Sequence, residues 1–152
     1  MVVVVVVVVV VDAVLVTSDL VPKLADFGES REQISTTMTS VGTHYWVAPE
    51  VYNGERYTER ADVYSFAVVL MEIFYHADLA AIFPDVRHPN RPLPGTQVAG
   101  QVLEGWRPEI GSHVPPEAAR LISQCWMDDD LDRPPFIEIL DRLKRMRRTM
   151  CG

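Results

Sequence analysis

The sequence predicts a mainly α-helical fold with one short β-hairpin near its beginning. Apolar residues recur every three or four positions across residues 63–74, which is the spacing of one face of an α-helix. Two further helical patterns cover 116–127 and 135–146, and each begins with a proline, which the first turn of a helix tolerates. Residues 14–17 and 22–25 are predicted to form two short strands, and Ser18-Asp19 between them supplies the turn of a hairpin.

The remaining elements follow in chain order. Asn53-Gly54 marks a turn ahead of the long helix, whose apolar residues lie all round it, so we expect this helix to be buried on all sides. Four prolines crowd 76–95, which predicts a loop with at most one short helical piece and no assigned role. A short helix is expected at 96–104. The last helix is expected to point four residues inward: Phe136, Ile139, Leu140 and Leu143.

Residues 2–11 are an unbroken run of ten valines. The run is shorter than the roughly 20 apolar residues that span a bilayer, and it lacks the basic flank of a signal peptide. We therefore expect no membrane span, and residues 1–12 are assigned no fold. A homopolymer cannot specify strand register, so a translated repeat or a gene-model artefact is the working hypothesis for this run.

Composition narrows the class of function. The net charge of −7 argues against a general nucleic-acid surface, although five basic residues between 142 and 148 form either a solvated helix face or a patch for an anionic partner. Cys125 and Cys151 are too few for a disulfide framework, which favours free thiols and a cytoplasmic location. The four histidines share no ligand spacing, so no metal cluster of histidine and cysteine is expected.

Two triplets bracket the most informative stretch: Asp26-Phe27-Gly28 at its start and Ala48-Pro49-Glu50 at its end, with Gly42-Thr43 ahead of Trp46. This stretch resembles the activation segment of a protein kinase. The resemblance implies that Asp26 holds Mg²⁺ on the phosphates of ATP, that Phe27 packs beneath it, and that the second triplet anchors the substrate-docking loop. It also implies that Thr43 forms a hydrogen bond near the catalytic aspartate.

Hydroxyl residues between the two triplets are candidate phosphorylation sites of the switch that the family often places there. The alternative is that each is an ordinary polar loop residue. The candidates are Ser35, Thr36, Thr37, Thr39 and Ser40.

Residues nearer the end of the chain extend the resemblance to the C-terminal lobe of a tyrosine-kinase-like (TKL) group Ser/Thr kinase. Asp62-Val63-Tyr64-Ser65-Phe66 is typical of the central helix of that lobe. Cys125-Trp126 followed by Arg133-Pro134-Pro135-Phe136 resembles its end. The resemblance implies that Arg133 pairs with Glu50 and that Asp62 and Trp126 are structural. It defines residues 13–148 as a partial kinase domain and 149–152 as a tail.

Several catalytic parts of that family have no counterpart in the 152 residues. There is no Gly-x-Gly-x-x-Gly and no His-Arg-Asp, and the two lysines, Lys23 and Lys144, do not stand where the phosphate-positioning lysine belongs. Alignment places Val8 at the catalytic aspartate and Ala13 at the second metal-binding residue. ATP and Mg²⁺ are the family's cofactors, but we expect this chain not to bind them and to be inactive alone, with a protein as substrate or partner. The alternative is a pseudokinase-like module that binds proteins.

Overall fold

The computed structural model describes residues 14–19, 21–24, 44–76 and 78–150, and it confirms the predicted fold class. The hairpin consists of β1 (Val14–Val16) and β2 (Pro22–Leu24), paired antiparallel with Leu15 opposite Lys23. At its turn the Val21 amide donates to Thr17 Oγ1 at 3.1 Å, as expected for a hydroxyl residue that satisfies a turn.

Six α-helices follow in the described residues: α1 (Pro49–Tyr52), α2 (Arg60–Phe74), α3 (Leu79–Ile82), α4 (Gly95–Leu103), α5 (Pro116–Cys125) and α6 (Phe136–Met150). Proline at the first turn starts α1 and α5. The Asp78 side chain accepts hydrogen bonds from the first amides of α3 and so caps it. Gly54, with φ of +67°, makes the turn after α1, as Asn53-Gly54 predicted. A 3-10 turn, Asp130–Asp132, precedes α6.

The core forms around α2. This helix packs on α5, α3 and the 3-10 turn, α5 packs on α6, and α1 packs on α4. Val63, Ala67 and Met71 of α2 are fully buried, as are Leu121 and Ile122 of α5. The predicted 3.6-residue stripe of the long helix therefore does face the centre of the fold.

Two expectations about burial are wrong. Ile73 of α2 is 62% exposed, and Phe66 and Val69 on the same face are only half-buried, so α2 is not covered on all sides. The inward face expected of α6 is wrong for Phe136 (42%) and Leu140 (45%), which are exposed. It is right for Ile139, which is buried, and for Leu143, which packs half-buried against the core. Periodicity shows which residues share a face, but the number of packed faces depends on the neighbouring elements, and α6 meets the core mainly along α5.

Other differences are smaller. The four-residue helix α1 follows Ala48 without having been predicted. Among the described residues between 76 and 94, the single short helical piece is α3, as the prolines predicted. None of the helices in the described part of the chain is both long and apolar enough to cross a bilayer.

Candidate functional site

The described part of the candidate site runs from His44 through α1, together with the residues that hold it against α2 and the loop before α6. It contains six of the site residues that the sequence predicted: Ala48, Pro49, Glu50, Asp62, Trp126 and Arg133. The others lie outside the described residues: Val8, Ala13, Asp26, Phe27, Gly28, Ser35, Thr36, Thr37, Thr39, Ser40 and Thr43. Their assigned roles stay predictions.

Glu50 and Arg133 are brought together by the fold. Glu50 is the second residue of α1, and Arg133 follows the 3-10 turn. Arg133 Nη1 donates to Glu50 Oε1 at 2.7 Å, and Nη2 donates to Oε2 at 2.9 Å. This two-point geometry matches the planar guanidinium to the carboxylate, which makes the pair both strong and directional.

The other donors of Arg133 are also used. Its Nε donates to the Met127 carbonyl at 2.8 Å, Nη1 to the Arg60 carbonyl at 2.9 Å, and Nη2 to the Asp128 carbonyl at 3.3 Å. A guanidinium has five N–H groups, so this buried side chain has a partner for each. A buried charge satisfied in this way ties α1, the start of α2 and the loop before α6 to one point.

Tyr64 of α2 lies between two arginines. The guanidinium carbons of Arg107 and Arg133 each lie 5.3 Å from the centre of its ring, within the range of a cation–π contact. Arg107 in turn pairs with Asp128 at 2.5 Å and donates from Nε to the Trp126 carbonyl at 2.8 Å. Burial raises the pKa of Tyr64 to about 12, so its phenol is neutral at physiological pH. The ring therefore links the Glu50 pair to the loop after α5.

Two residues of α2 hold the stretch before α1. Trp46 Nε1 donates to Glu72 Oε2 at 2.9 Å, and Ser65 Oγ donates to the Trp46 carbonyl at 2.6 Å. All three residues are buried. Burial raises the pKa of the Glu72 carboxyl, against the opposing effect of the indole N–H. The central helix thus fixes both the side chain and the backbone of Trp46.

The outer side of the same stretch contacts α4 and the loop ahead of it. Tyr52 Oη donates to the His44 carbonyl at 2.9 Å and lies 2.7 Å from His44 Nδ1, with the two rings stacked. Because this hydroxyl donates to the carbonyl, the imidazole Nδ1–H is the donor to its oxygen. Tyr45 Oη donates to the Leu93 carbonyl at 2.7 Å, and Gly95 at the start of α4 packs against His44.

A shallow groove of about 430 Å³ runs beside this stretch, between α1 and α4. Glu50, Glu55, Glu104 and Asp128 contribute to its lining. Two of these carboxylates are neutralised, Glu50 by Arg133 and Asp128 by Arg107. The groove is the concave surface that the anchored stretch presents to solvent.

The two other structural predictions fall in the core. Asp62 is buried in the first turn of α2, and Trp126 is buried directly after α5. Trp126 contributes its backbone carbonyl to Arg107, as described above, so its position supports the Tyr64 contact.

The chemistry of the described residues is that of a scaffold. Within these residues, no group of three or more His, Cys, Asp or Glu side chains could hold a metal ion. They also include no Gly-x-Gly-x-x-Gly to cradle phosphates. Asp26, to which the resemblance assigns the metal, lies outside the described residues.

Sequence reasoning missed three members of this site. Tyr64 was visible only as part of the motif of the central helix, and nothing in the sequence brings it together with Arg107. Glu72 carried a usable signal, since an acidic residue inside an apolar helical stripe must find a partner or remain costly to bury. Its partner, Trp46, is 26 residues away in the sequence.

Comparison with known proteins gives a consistent result. Residues 9–143 match the family model described as protein tyrosine and serine/threonine kinase. Similar relatives include the Probable serine/threonine-protein kinase SIS8 of Arabidopsis thaliana, 38% identical over 142 residues, and the Probable serine/threonine-protein kinase drkC of Dictyostelium discoideum, 39% identical over 130 residues. The RGS domain-containing serine/threonine-protein kinase A of Dictyostelium discoideum is 34% identical over 132 residues.

These matches cover most of this chain but little of the relatives. The match to SIS8 covers 91% of this chain and 13% of the relative. The match to drkC covers 82% and 16%, and the match to the RGS domain-containing kinase covers 86% and 11%. The chain thus corresponds to a small part of each relative.

Proposed function

The chain belongs to the protein tyrosine and serine/threonine kinase family, and on that premise we propose that residues 13–148 are the substrate-docking half of a Ser/Thr protein kinase domain. Residues 1–12 and 149–152 lie outside this unit in the proposal. The parent activity is ATP-dependent phosphorylation of serine or threonine in a protein. The names of the relatives support the Ser/Thr preference.

The observation that carries the proposal is the bidentate pair between Glu50 and Arg133. It joins the end of the predicted activation segment to the loop before α6 through two hydrogen bonds of 2.7 and 2.9 Å. Trp46 is fixed independently by Glu72 and Ser65 of α2. A loop held at both places presents a constant surface, which is what the positioning of a substrate chain requires.

The narrower assignment to the TKL group rests on the sequence around the same pair. Cys125-Trp126 and Arg133-Pro134-Pro135-Phe136 stand at the spacing typical of that group. In this proposal, Asp26 with Phe27 and Gly28 forms the metal-binding end of the segment, and the switch is one of the hydroxyls at 35–40. Free thiols, with Cys125 buried and unpaired, favour a reducing compartment for the protein.

We further propose that this chain alone does not transfer phosphate. Phosphoryl transfer depends on groups that position the nucleotide and on a base that orients the nucleophile. The sequence contains no Gly-rich loop and no His-Arg-Asp, and Val8 and Ala13 occupy the aligned catalytic positions. Bound ATP with Mg²⁺ would supply the phosphoryl group, but Asp26 alone is too few ligands for Mg²⁺.

A chimeric kinase tests the docking role. Residues 14–148 replace the matching residues of an active Ser/Thr kinase, so that the host supplies the phosphate-binding parts and the catalytic loop. We expect transfer of the γ-phosphate of ATP to the host's protein substrate, and loss of that transfer in the chimera with Asp26→Ala. A chimera that melts cooperatively but transfers no phosphate would refute the docking role.

A second experiment tests whether the isolated chain transfers phosphate. With radiolabelled ATP and Mg²⁺, we expect no incorporation above a blank without protein, while the intact host kinase serves as the positive control. If the isolated chain incorporates radiolabelled phosphate and Asp26→Ala abolishes this incorporation, our argument that the Gly-rich loop and His-Arg-Asp are required would be wrong.

A protein-binding module of the pseudokinase kind is the second candidate, and one observation favours it. The stretch from His44 through α1, which we propose docks the substrate, is anchored by residues of this chain. Its surface therefore does not depend on a nucleotide. Calorimetric titration with an active relative's kinase domain distinguishes this role. Saturable one-to-one binding without phosphate transfer supports a module, and absence of binding leaves the docking half of an enzyme as the better account.

A further inference from the structure

Residues 84–92, here called the α3–α4 loop, form a closed loop in the part of the chain to which the sequence assigned no role. The Leu93 amide donates to the Phe83 carbonyl at 2.7 Å, and an isolated β-bridge pairs the two prolines at the ends of the loop. Val86 is 91% exposed. The loop is therefore closed at its base and projects into solvent.

Hydrogen bonds fix the backbone of the α3–α4 loop. Asp85 Oδ1 accepts from the Arg87 amide at 2.8 Å, which makes the kind of turn that aspartate favours. The His88 amide donates to the Asp85 carbonyl at 3.0 Å, and the Arg91 amide donates to the His88 carbonyl at 2.9 Å. The backbone positions of Arg87 and Arg91 are therefore set before a partner binds, which lowers the entropy lost on binding.

Arg87 and Arg91 are the two cations of this loop. Both residues are exposed, and among the residues that the structure describes neither guanidinium forms an ion pair with a carboxylate. The only acidic residue in the sequence of the loop is Asp85, whose Oδ1 accepts from a backbone amide. Two cations on one short loop are a local exception in a chain of net charge −7, and they favour contact with an anionic group.

The α3–α4 loop lies beside the stretch that begins at His44. At one end of the loop, the ring of Phe83 lies 4.9 Å from that of Tyr45, and at the other end the Leu93 carbonyl accepts from Tyr45 Oη at 2.7 Å. Gly95, two residues further on, packs against His44. Both ends of the loop are thus tied to the stretch from His44 through α1, so a protein chain held at that stretch passes close to the loop.

We propose that Arg87 and Arg91 bind aspartate or glutamate side chains of the protein substrate, so that this half of the kinase domain selects serine or threonine in an acidic segment. This inference rests on the proposed docking role of the stretch from His44 through α1. A guanidinium matches a carboxylate through two parallel hydrogen bonds, which gives the contact direction as well as charge. Because both side chains are exposed, each contact is weak and sensitive to salt.

Charge and position favour an acidic protein segment over other anions. Two arginines are fewer than the roughly six to ten phosphate contacts of a protein that binds nucleic acid strongly, and the net charge of −7 opposes a polyanion or an anionic membrane. The carboxylates of the α1–α4 groove lie near the other end of α4, about 12 Å along its nine residues. At physiological salt they are therefore largely screened from the loop.

Peptide binding to the full 152-residue chain tests this selection. The probe is a short fluorescein-labelled peptide with a central serine and glutamates on both sides, and it is compared with the same peptide carrying glutamines. Fluorescence anisotropy should show at least about tenfold tighter binding of the glutamate peptide, with the difference shrinking as salt is added. In Arg87→Glu/Arg91→Glu the glutamate peptide should bind at least about tenfold more weakly than in the wild type.

The matched control is Arg145→Glu/Arg148→Glu, which makes the same change in net charge at two exposed positions of α6. It should bind the glutamate peptide like the wild type. Far-UV circular dichroism checks that each variant is folded. Should the reversal in the loop unfold the chain, Arg87→Gln/Arg91→Gln provides a second variant, which removes the two charges without adding opposite ones and should also weaken binding of the glutamate peptide.

The chimera that carries residues 14–148 separates this inference from the docking role. Its kcat/KM for the glutamate peptide should exceed that for the glutamine peptide, and Arg87→Glu/Arg91→Glu should lower this ratio at least about tenfold. A chimera that phosphorylates both peptides equally well would refute the selection and leave the docking role intact. A chimera that phosphorylates neither would refute the docking role, and the anisotropy measurement on the full chain then decides the selection alone.

Other results would also overturn the proposal. One is a full chain that binds both peptides equally or neither of them, and another is a loss of binding in the α6 control as large as in the loop variant. A third is binding of a single-stranded oligonucleotide or of phosphatidylserine vesicles that requires Arg87 and Arg91 and is tighter than that of the glutamate peptide. That result would assign the loop to nucleic acid or to a membrane surface.

Discussion

Arg133 and Glu50, which lie 83 residues apart in the sequence, form a two-point ion pair in which the arginine side chain is fully buried and the glutamate side chain is 9% exposed. The pair joins α1 to the loop before α6. Removing one partner of a buried pair leaves an unpaired charge in the protein interior, so the loss of stability is larger than for an exposed pair.

Arg133→Ala is expected to lower the free energy of unfolding by about 3–5 kcal/mol, because Glu50 would remain buried without a partner. Urea unfolding followed by circular dichroism measures this change. The matched control is Arg120→Ala, which removes an ion pair with Glu117 whose side chains are 66% and 63% exposed, and it should change stability by about 1 kcal/mol or less. Equal effects of the two substitutions would contradict a structural role for the buried pair.

Two substitutions of Tyr64 separate the contribution of side-chain volume to stability from that of the aromatic π-system. Tyr64→Phe keeps a ring between Arg107 and Arg133, so we expect a loss within about 1 kcal/mol. Tyr64→Leu keeps most of the volume but removes both cation–π contacts, and it should lose about 1–2 kcal/mol more than the phenylalanine variant. The comparison uses urea unfolding, and a leucine variant as stable as the phenylalanine variant would show that the arginines only pack against the ring.

Glu72 predicts a pH dependence of stability. Burial raises the pKa of this carboxyl above its ordinary value of 4.5, so the folded state binds its proton more tightly than the unfolded state. The contribution of Glu72 to stability is therefore greatest below the unfolded pKa and is lost as the pH rises through the folded pKa.

Glu72→Gln removes this titration and keeps an oxygen that can accept from Trp46 Nε1. We expect a flatter profile of unfolding free energy from about pH 4 to 7, and equal or greater stability at neutral pH. Glu72→Leu leaves the indole N–H unpaired and should lose about 1–3 kcal/mol. Parallel pH profiles of the wild type and the glutamine variant would indicate that the Glu72 pKa is not raised in solution.

Gly95 tests the contact between α4 and His44, which lies ahead of α1. A Cβ at this position would lie 2.8 Å from the Cβ of His44, so Gly95→Ala should lose about 1–3 kcal/mol. Gly100→Ala in the same helix meets nothing within 4 Å and should be neutral or stabilise by up to about 1 kcal/mol. Thermal unfolding of the two variants compares them.

The double variant His44→Gly/Gly95→Ala completes this test, since removing the His44 Cβ removes the clash. Its loss should be smaller than the sum of the two single losses, as expected for residues in direct contact. Additive losses would mean that the two residues do not constrain each other.

The mainly helical fold, which the structure confirms, could be predicted because the sequence signals for its helices are local. The proline that opens α5, the turn at Asn53-Gly54 and the stripe of α2 each act within one or two turns of chain. The motif residues were also visible, since Glu50 and Arg133 stand in short recognisable stretches. Burial was predicted less well, because Ile73, Phe136 and Leu140 obey the helical period and yet are exposed.

The sequence by itself determined the family and the order of the four longer helices, α2, α4, α5 and α6, because the signals for each depend on neighbouring residues. Only the tertiary structure decided that Tyr64 lies between Arg107 and Arg133, and that Glu72 accepts from Trp46. It also decided that the first half of α6 turns an apolar face to solvent. These contacts join residues far apart in the chain, and helical periodicity has no information on which faces meet.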